Sequence, residues 1–553
     1  MLASLFNFLQ HQPVLVFFLV LSFGYFIGNI RVLGINLGSV GGVLMAGLIF
    51  GHLGFDMYVG IQSFGFALFI FCVGYQAGPR FFDVLMTSGL KYLSLAIVVA
   101  ATGFGVAVGL ASALELEPGM AAGLMGGAMT TTPTLAAAQD AVHSGLFIAP
   151  AGITNDQVLT NIGAAYALTY LFGLIGLIII IRLLPKVLKI DLPAEAAKLI
   201  SDDDPEAAAD LSKVTRRAYR VTNPDNLHLS VVEIEENAPT DLAVVAIRRD
   251  GEEIPVEYDT RLKLGDEVLV IGQVDHLLQN FAKFGEEISD DEGLSLSMST
   301  VKVIITKANV AGNPIGDIRL DERVGALLLE VRRQRTKLPL NNDLVLHRGD
   351  VMTIYGPEIA LERLAHYVGY VERDVAETDL FTFSLGIAVG IGLGSIAVNI
   401  GGVSIGMGTA GGLLLTGLLI GFLRSIWPVF GRVPSAARWV FMELGLLMFM
   451  AGVGVHAGGG IVEIFQTAGV KLIGAGILVT MIPVLVGYFF SRKILNLNPA
   501  EALGGVTGAM TSGAALSVVN EAAESDAPAL GYTGAYAFAN VILTLAGTLI
   551  MLT

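Results

Sequence analysis

Hydrophobic residues along this chain are concentrated in two groups of apolar stretches, separated by a long polar and charged segment. The apolar stretches occupy roughly 12–30, 36–54, 59–78, 90–113, 119–142 and 157–183, and then 379–398, 405–423, 438–457, 471–491, 500–522 and 529–552. Most contain the roughly 20 residues that an α-helix needs to cross the hydrocarbon core of a bilayer. The pattern predicts a polytopic α-helical membrane protein with an inserted polar domain.

The polar segment holds most of the basic residues. Of the 33 Lys and Arg residues in the chain, 21 lie within 190–377. Short β-rich runs there alternate with Gly-Asp turns, which predicts α+β structure. We therefore divide the chain into a first membrane repeat, two tandem modules and a second membrane repeat, at 1–189, 190–292, 293–377 and 378–553.

The two membrane halves share a sequence pattern, which indicates duplication. Gly-Ala-Met-Thr at 127–130 recurs at 508–511, deep in an apolar stretch each time. A second set of matches keeps a constant offset: Gly65, Phe69, Gly74 and Gly78 recur as Gly445, Phe449, Gly454 and Gly458. Transporters built from two related halves place their binding site where the halves meet.

Basic residues occupy opposite loops in the two halves. In the first half they follow the first and third apolar stretches, at Arg31, Arg80 and Lys91. In the second half they follow the second and fourth stretches, at Arg424, Arg432, Arg438, Arg492 and Lys493, with Lys471 as an exception. Because basic loops favour the cytoplasm, the two repeats are expected to be inverted relative to each other.

Inversion requires an odd number of crossings in each repeat, whereas each half has six apolar stretches. The fifth is the best candidate for a stretch that fails to cross, because Pro133 interrupts it and Gly513 lies in the matching region of the other half. We predict broken or re-entrant helices at both places. This count puts both termini outside the cytoplasm and the central domain inside it.

The central domain is itself duplicated. Arg248-Arg249 and Gly265-Asp266 recur as Arg332-Arg333 and Gly349-Asp350, and each unit is expected to end in a helical stretch. Two paired modules that bind a regulatory small ligand are one interpretation, and a plain structural insert is the other.

Composition excludes several classes of function. Hydrophobic residues make up 54% of the chain, charged residues 15%, and glycine reaches 67 copies, as is typical of membrane helices. The formal net charge of −16 gives no sign of nucleic-acid binding. The single cysteine, Cys72, excludes an intrachain disulfide. No metal-ligand spacing and no phosphate-binding loop occurs, so we expect no cofactor, no metal and no enzymatic activity.

The interrupted stretches offer groups that could hold a substrate. A helix broken inside a membrane exposes backbone amides whose dipole favours an anion, and free backbone groups there need a partner. The predicted substrate-binding residues are Gly127, Thr130, Thr131, Thr132, Pro133, Gly508, Thr511, Ser512, Gly513, Tyr166, Tyr536 and Asn540. Alternatively, these glycines and hydroxyls serve helix packing and bond to their own helices.

Two acidic residues follow the interrupted stretches at equivalent places. Asp140 and Glu521 could carry protons or pair with a cation, or they could lie at the surface. Both interpretations remain open from the sequence.

These residues resemble the aspartate–alanine exchanger family of bacterial secondary transporters, in its putative-transport-protein branch. The resemblance rests on both Gly-Ala-Met-Thr motifs and on the stretches 69–79 and 530–537. The central repeats resemble the TrkA-C (RCK-C) modules of potassium-uptake regulators. The resemblance implies a carrier in the bacterial inner membrane that exchanges small anionic or zwitterionic substrates such as aspartate, alanine, glutamate or succinate. A homodimer is also expected.

The alternative function is a cation transporter or channel, coupled to K⁺ or H⁺ and gated by the central modules. A channel of that kind should carry a filter-like repeat of carbonyls, and the sequence contains none.

Overall fold

A computed structural model describes most of the chain in two compact units. The described residues are 2–32, 35–36, 38–86, 90–200, 214–223, 230–231, 242–254, 260–273, 285–288, 298–318, 327–333, 336–340, 343–357, 361, 364, 367–371, 378–400, 403–427 and 430–553. One unit, the membrane unit, comprises 1–197 and 376–553, and the other, the inserted unit, comprises 198–375. These divisions fall within ten residues of those predicted from charge.

The membrane unit contains the same series of elements twice. After α1 (Leu2–Gln10), the first series comprises α2 (Pro13–Gly28), a hairpin of β1 (Arg31–Val32) and β2 (Ile35–Asn36), α3 (Gly38–His52), α4 (Val59–Met86), α5 (Leu90–Ala113), α6 (Met120–Ala128), α7 (Thr132–His143) and α8 (Asn155–Val187). A short helix, α9 (Leu192–Ile200), leads out of it.

The second series follows the inserted unit in the same order. It comprises α10 (Leu380–Gly394), a hairpin of β13 (Ala397–Ile400) and β14 (Val403–Gly406), α11 (Gly408–Ile426), α12 (Ser435–Gly458), α13 (Ile461–Lys493), α14 (Pro499–Ala509), α15 (Gly513–Ala523) and α16 (Pro528–Met551). The duplication predicted from the sequence therefore extends to every element, including the hairpins.

Helix length and apolar composition are those of a multi-pass membrane protein. Among the described residues, seven helices are long and apolar enough to cross a bilayer, and three shorter apolar helices accompany them at Pro13–Gly28, Gly38–His52 and Leu380–Gly394. The short α6, α7, α14 and α15 are outside both groups. The fifth apolar stretch of each half is thus divided between two short helices, neither of which belongs to the group that is long enough to cross.

Equivalent helices of the two repeats run in opposite directions. Along the contact between α4 and α12, Gln62 touches Gly452, Gly65 touches Phe449, and Phe69 touches Gly445. The residue number rises on one helix as it falls on the other, so the two helices are antiparallel. Because α12 is the repeat of α4, the prediction of inverted repeats is confirmed.

Six helices form one closely packed bundle, which we call the panel bundle: α2, α3, α4, α10, α11 and α12. Its helices touch through glycines spaced one turn apart, with Gly47 and Gly51 of α3 against Gly454 and Gly458 of α12. The same contact recurs between Gly74 and Gly78 of α4 and Gly417 and Gly421 of α11. Small residues at these positions let the backbones approach closely.

Eight other helices, α5–α8 and α13–α16, form a second bundle, which we call the hairpin bundle. In it, α6 lies along α8 in the same direction, because Gly119 faces Val158, Gly123 faces Ile162, and Gly127 faces Tyr166. Both helices therefore begin at the same end, and only residues 144–154 connect α7 back to α8.

The segment formed by α6 and α7 is consequently a re-entrant hairpin. At about 1.5 Å per residue, neither helix, of 9 and 12 residues, is long enough to cross the core alone. The second copy is built the same way, with Gly504 and Gly508 of α14 against Pro528 and Tyr532 of α16. The prediction of broken or re-entrant fifth segments is confirmed.

The inserted unit contains two sheets with one topology. The first comprises β3 (Val214–Val221), β4 (Leu242–Arg249), β5 (Glu252–Ile254), β6 (Glu267–Gln273) and β7 (Gly285–Ile288), in the order β5-β4-β6-β3-β7. The second comprises β8 (Met298–Ile305), β9 (Leu327–Arg333), β10 (Thr336–Leu338), β11 (Val351–Pro357) and β12 (Gly369–Val371), in the order β10-β9-β11-β8-β12. The helical stretch predicted at the end of each module falls largely on 274–284 and 358–366, mostly outside the described residues.

The repeated Arg and Gly-Asp motifs form an ion pair in each sheet. Arg249 contacts Asp266 at 2.7 Å, and Arg333 contacts Asp350 at 2.7 Å. Each aspartate also accepts a backbone amide three residues earlier, from Lys263 and His347 respectively. The motif therefore fastens the turn before one strand to the end of the neighbouring strand, which is a structural role.

Candidate functional site

The two re-entrant hairpins end in nearly identical turns, which we call tip 1 (Met129–Thr131) and tip 2 (Met510–Ser512). Thr130 and Thr511 have φ of +53° and +54°, the left-handed region. In tip 1 the Thr130 and Thr131 amides donate to the carbonyls of Gly127 and Gly126, and tip 2 repeats both bonds. This is the Schellman ending of a helix, which normally takes glycine at the left-handed position.

Threonine at that position is unusual. A β-branched residue with positive φ is a genuine outlier, and the conformation costs a non-glycine residue about 1–2 kcal/mol. Both copies accept this cost, and strained residues of this kind cluster at functional sites. The left-handed threonines therefore mark the tips as the candidate site.

The two tips meet each other inside the hairpin bundle. The hydroxyl of Thr130 donates to the carbonyl of Met510 at 3.4 Å. The hydroxyl of Thr480, on α13, donates to the carbonyl of Ala128 at 2.7 Å, at the end of α6. The Thr511 hydroxyl oxygen is buried, and it has no hydrogen-bond partner within the described part of the chain. A buried hydroxyl without a partner is costly, so it needs a ligand or water.

The helices that leave the two tips differ in how they begin. Ser512 caps α15, because its hydroxyl accepts the Ala515 amide at 3.3 Å. Thr131 occupies the same place before α7. Its hydroxyl accepts a hydrogen bond from the Thr134 hydroxyl at 3.3 Å and caps no backbone amide. The first turn of α7 thus presents uncapped amides, and Pro133 supplies none. The two copies of the motif are chemically unequal at this point.

Tyrosines of the last helix in each repeat reach the two helix starts. The Tyr166 hydroxyl lies 3.2 Å from that of Thr132, at the start of α7. The Tyr532 hydroxyl lies 3.7 Å from the position a Cβ would take on Gly513, at the start of α15. One helical turn later, Tyr170 stacks on Tyr166 and Tyr536 stacks on Tyr532.

Other predicted substrate-binding residues lie in packing positions. A methyl group on Gly127 would overlap the Thr169 side chain and the Tyr166 backbone, and one on Gly508 would overlap the Tyr532 backbone. The Asn540 side-chain amide donates to the carbonyl of Tyr536 in its own helix at 2.8 Å. The glycines shape the hairpins rather than present a polar group to the tips.

Asp140 and Glu521, equivalent in sequence, have different environments. Asp140 is buried, and its carboxylate accepts the Ala410 amide at 2.8 Å, at the start of α11 in the panel bundle. Glu521 has a side chain that is 76% exposed and pairs with Arg182 at 3.3 Å. The structure therefore brings Asp140 to an interface between the bundles and leaves Glu521 outside.

Comparison with known families agrees with this architecture. The family model described as a predicted permease membrane region, Asp-Al_Ex, matches residues 16–186 and 382–552, more than half of the chain. The chain belongs to the Asp-Al_Ex family. Within the inserted unit, residues 301–369 match the TrkA-C domain. No solved structure matches this chain.

Membership of the Asp-Al_Ex family confirms the resemblance drawn from the motifs. The protein is a multi-pass membrane transporter whose two permease halves flank a TrkA-C regulatory domain. Both matched halves contain one complete re-entrant hairpin, so each tip belongs to the permease region itself.

Sequence reasoning missed two residues at the tips of this Asp-Al_Ex protein. Thr480 lies in the middle of a long apolar helix, and no motif marks it. Tyr532 lies within the quoted stretch 530–537, one turn before Tyr536, which matches Tyr166 in the repeat. The missing signal for Tyr532 was geometric: α16 meets its hairpin one turn earlier than the sequence match with α8 implies.

Proposed function

We propose that this protein is a secondary active exchanger of small anionic or zwitterionic carboxylates, of the aspartate, alanine, glutamate and succinate class. The observation that carries the proposal is the meeting of two strained tips around an unpartnered hydroxyl, beside the uncapped start of α7. Amides at a helix start bind anions without a basic residue, and the tips contain none.

The inequality of the two tips supports a division of roles. Because Ser512 already satisfies an amide of α15, we assign the substrate carboxylate to the start of α7, near Thr132 and Thr134. The Thr511 hydroxyl, which lacks a partner, and the Thr130 hydroxyl are assigned to the rest of the substrate. Tyr166 and Tyr532 would close the site beside each tip.

We further propose a cytoplasmic location for the two modules of the inserted unit and extracytoplasmic termini, on the distribution of basic loops. A bacterial inner membrane is proposed on the resemblance to the exchanger family. The modules would bias transport by binding a small ligand with different affinity in two conformations. A route for this bias is α9, where Asn498, the cap of α14, donates to the carbonyl of Glu195 at 3.0 Å. A homodimer is part of the same proposal.

Counterflow in proteoliposomes tests the function directly. Vesicles loaded with unlabelled aspartate, alanine, glutamate or succinate should take up labelled substrate of at least one kind, faster than empty vesicles. Thr130→Val and Thr511→Val, which keep the shape and remove the hydroxyl, should each impair uptake with the folded yield unchanged. Potassium flux without carboxylate exchange would instead support a gated cation pathway and overturn the proposal.

A further inference from the structure

We propose that Asp140 and Glu521 are alternating latches between the two bundles, of which this structure shows Asp140 closed and Glu521 open. The inference rests on the transport function of the membrane unit and names the contacts that distinguish its two conformations. It concerns the panel bundle and the hairpin bundle, which the carboxylate of Asp140 joins.

The closed latch is a buried carboxylate on the start of a helix. The Asp140 carboxylate, carried by α7, accepts the Ala410 amide at 2.8 Å and is also bonded by Thr409. The residue before α11, Met407, caps no amide, so Asp140 supplies the cap from the other bundle. A carboxylate at a helix start is favoured by the helix dipole and by charge-assisted hydrogen bonds.

The other copy of each element contains residues that correspond to those of the closed latch. Gly408-Thr409-Ala410 corresponds to Gly38-Ser39-Val40 at the start of α3, and Asp140 corresponds to Glu521 on α15. Yet Glu521 contacts Arg182 instead, in an exposed pair. Such pairs contribute little stability, so leaving Arg182 costs Glu521 little. Meanwhile Ser39 donates to Glu443 of its own bundle at 2.8 Å.

A second difference between the repeats points the same way. Gln139, beside Asp140, accepts a hydrogen bond from Gln62 of the panel bundle at 3.1 Å. Asn520, beside Glu521, has a buried side-chain oxygen that lacks a partner within the described residues. In the first repeat both side chains thus have a partner in the panel bundle, whereas in the second Asn520 has an acceptor without a partner and Glu521 has only the exposed pair with Arg182.

Inverted repeats can exchange conformations when a transporter changes the side to which its site opens. In the exchanged conformation, Glu521 would accept the amides of Ser39 and Val40 at the start of α3, and Asp140 would release α11. The two carboxylates would therefore hold opposite conformations, one at a time.

Paired cysteine reporters test this exchange in the full-length, detergent-purified chain. In a Cys72→Ala background, Ala410→Cys and Val40→Cys keep the backbone amides and place one thiol at each latch. Ala410 is fully buried here, so N-ethylmaleimide should label Cys at 410 slowly and Cys at 40 more readily. No substrate is needed for the measurement.

Opposite shifts are the expected result. Asp140→Ala should raise the labelling rate at 410 by about tenfold, the size expected for lost charge-assisted hydrogen bonds, and lower it at 40. Glu521→Ala should raise labelling at 40 and lower it at 410. The double variant should return both rates towards those of the parent. Asp140→Asn, which keeps an acceptor oxygen, should shift the rates less and guards against misfolding.

The proposal fails if Asp140→Ala raises labelling at both sites, which indicates simple loosening, or if Glu521→Ala changes neither. Because labelling requires no transport assay, the two hypotheses are separable. If the two labelling rates shift in opposite directions but no carboxylate counterflow occurs, the latch proposal is supported and the proposed substrate class is refuted.

Discussion

The hydroxyl of Thr130 lies 3.4 Å from the carbonyl oxygen of Met510, a residue 380 positions further along the chain. This bond joins the tips of two hairpins that enter from opposite directions. A left-handed threonine lies at each tip, so the strained backbone and the contact between repeats coincide. The effects of these residues on folding and on transport can be measured separately.

Replacing Thr130 or Thr511 by glycine should leave stability unchanged or raise it by up to about 1 kcal/mol, because glycine adopts positive φ without the strain. Transport should nevertheless fall, since the hydroxyl is lost. Thermal unfolding in detergent and counterflow in vesicles would measure the two effects. Thr102→Ala is the control, since its hydroxyl donates to the carbonyl of Val98 in its own helix. A marked loss of stability in both glycine variants would contradict the strain argument.

Tyr532→Phe should reduce transport several-fold, because its hydroxyl lies at the start of α15 and in the proposed site would bind substrate. A hydrogen bond to substrate of about 1 kcal/mol gives a loss of that size. Tyr166→Phe should act similarly at α7. Tyr536→Phe, one turn away on the same helix, should have the smaller effect. Initial uptake rates at equal protein content decide the order. Equal losses at 532 and 536 would show that the repeat match, rather than the geometry, identifies the important tyrosine.

Asn498→Asp should release α9 while keeping α14 capped. An aspartate oxygen can still accept the Ala500 amide, but it cannot donate to Glu195 as Asn498 does. Hydrogen exchange should therefore accelerate within 192–200 and stay slow within 499–509. Asn498→Ala should accelerate both, since loss of a cap costs about 1 kcal/mol. Unchanged exchange in 192–200 for both variants would remove Asn498 from the connection to the inserted unit.

The two ion pairs of the inserted unit should differ in importance. Arg333 and Asp350 are 6% and 1% exposed, whereas Arg249 is 23% exposed. Breaking a buried pair leaves an uncompensated charge and costs about 3–5 kcal/mol, so Asp350→Asn should weaken its sheet strongly. Asp266→Asn should cost less, because the charge that it leaves unpaired is the Arg249 guanidinium, which water reaches. Hydrogen exchange in β9 and β11, compared with β4 and β6, would rank them. The reverse ranking would contradict the burial argument.

Glycines at the helix contacts should be far less tolerant than those facing open space. A methyl group on Gly51 overlaps the Val455 backbone, whereas one on Gly109 meets nothing. Gly51→Ala should therefore destabilise the protein by roughly 1–3 kcal/mol, as overpacking does. Gly109→Ala should be neutral or slightly stabilising. Unfolding temperatures in detergent would compare them, and similar temperatures for the two variants would argue against backbone contact at Gly51.

Much of the architecture could be predicted from the sequence because hydrophobic stretches and repeats are local signals. Basic loops and the parity of crossings led to inverted repeats, and the antiparallel contact of Phe69 with Gly445 confirms them. The sequence predicts that the fifth stretches are broken or re-entrant. The parallel course of α6 and α8 shows that the stretch is re-entrant. That choice depends on contacts between helices, which residue patterns do not encode.

The candidate site was only partly predictable for the same reason. Gly-Ala-Met-Thr identified the tips, but the residue types do not indicate that Thr130 and Thr511 adopt the left-handed conformation, which favours glycine. Residues that correspond in sequence also need not have the same surroundings. Asp140, on α7, is buried against the start of α11, while Glu521 is exposed. The repeat shows which residues correspond, but it does not show which of them contacts the panel bundle.

The glycine contacts of the panel bundle have a mechanical consequence. Where Gly47 faces Gly454 and Gly74 faces Gly417, backbones touch without side chains between them. Such surfaces have no flexible layer to absorb sliding, so we expect these four helices to move as one rigid frame. In the proposed exchange cycle, the hairpin bundle would then move relative to that frame.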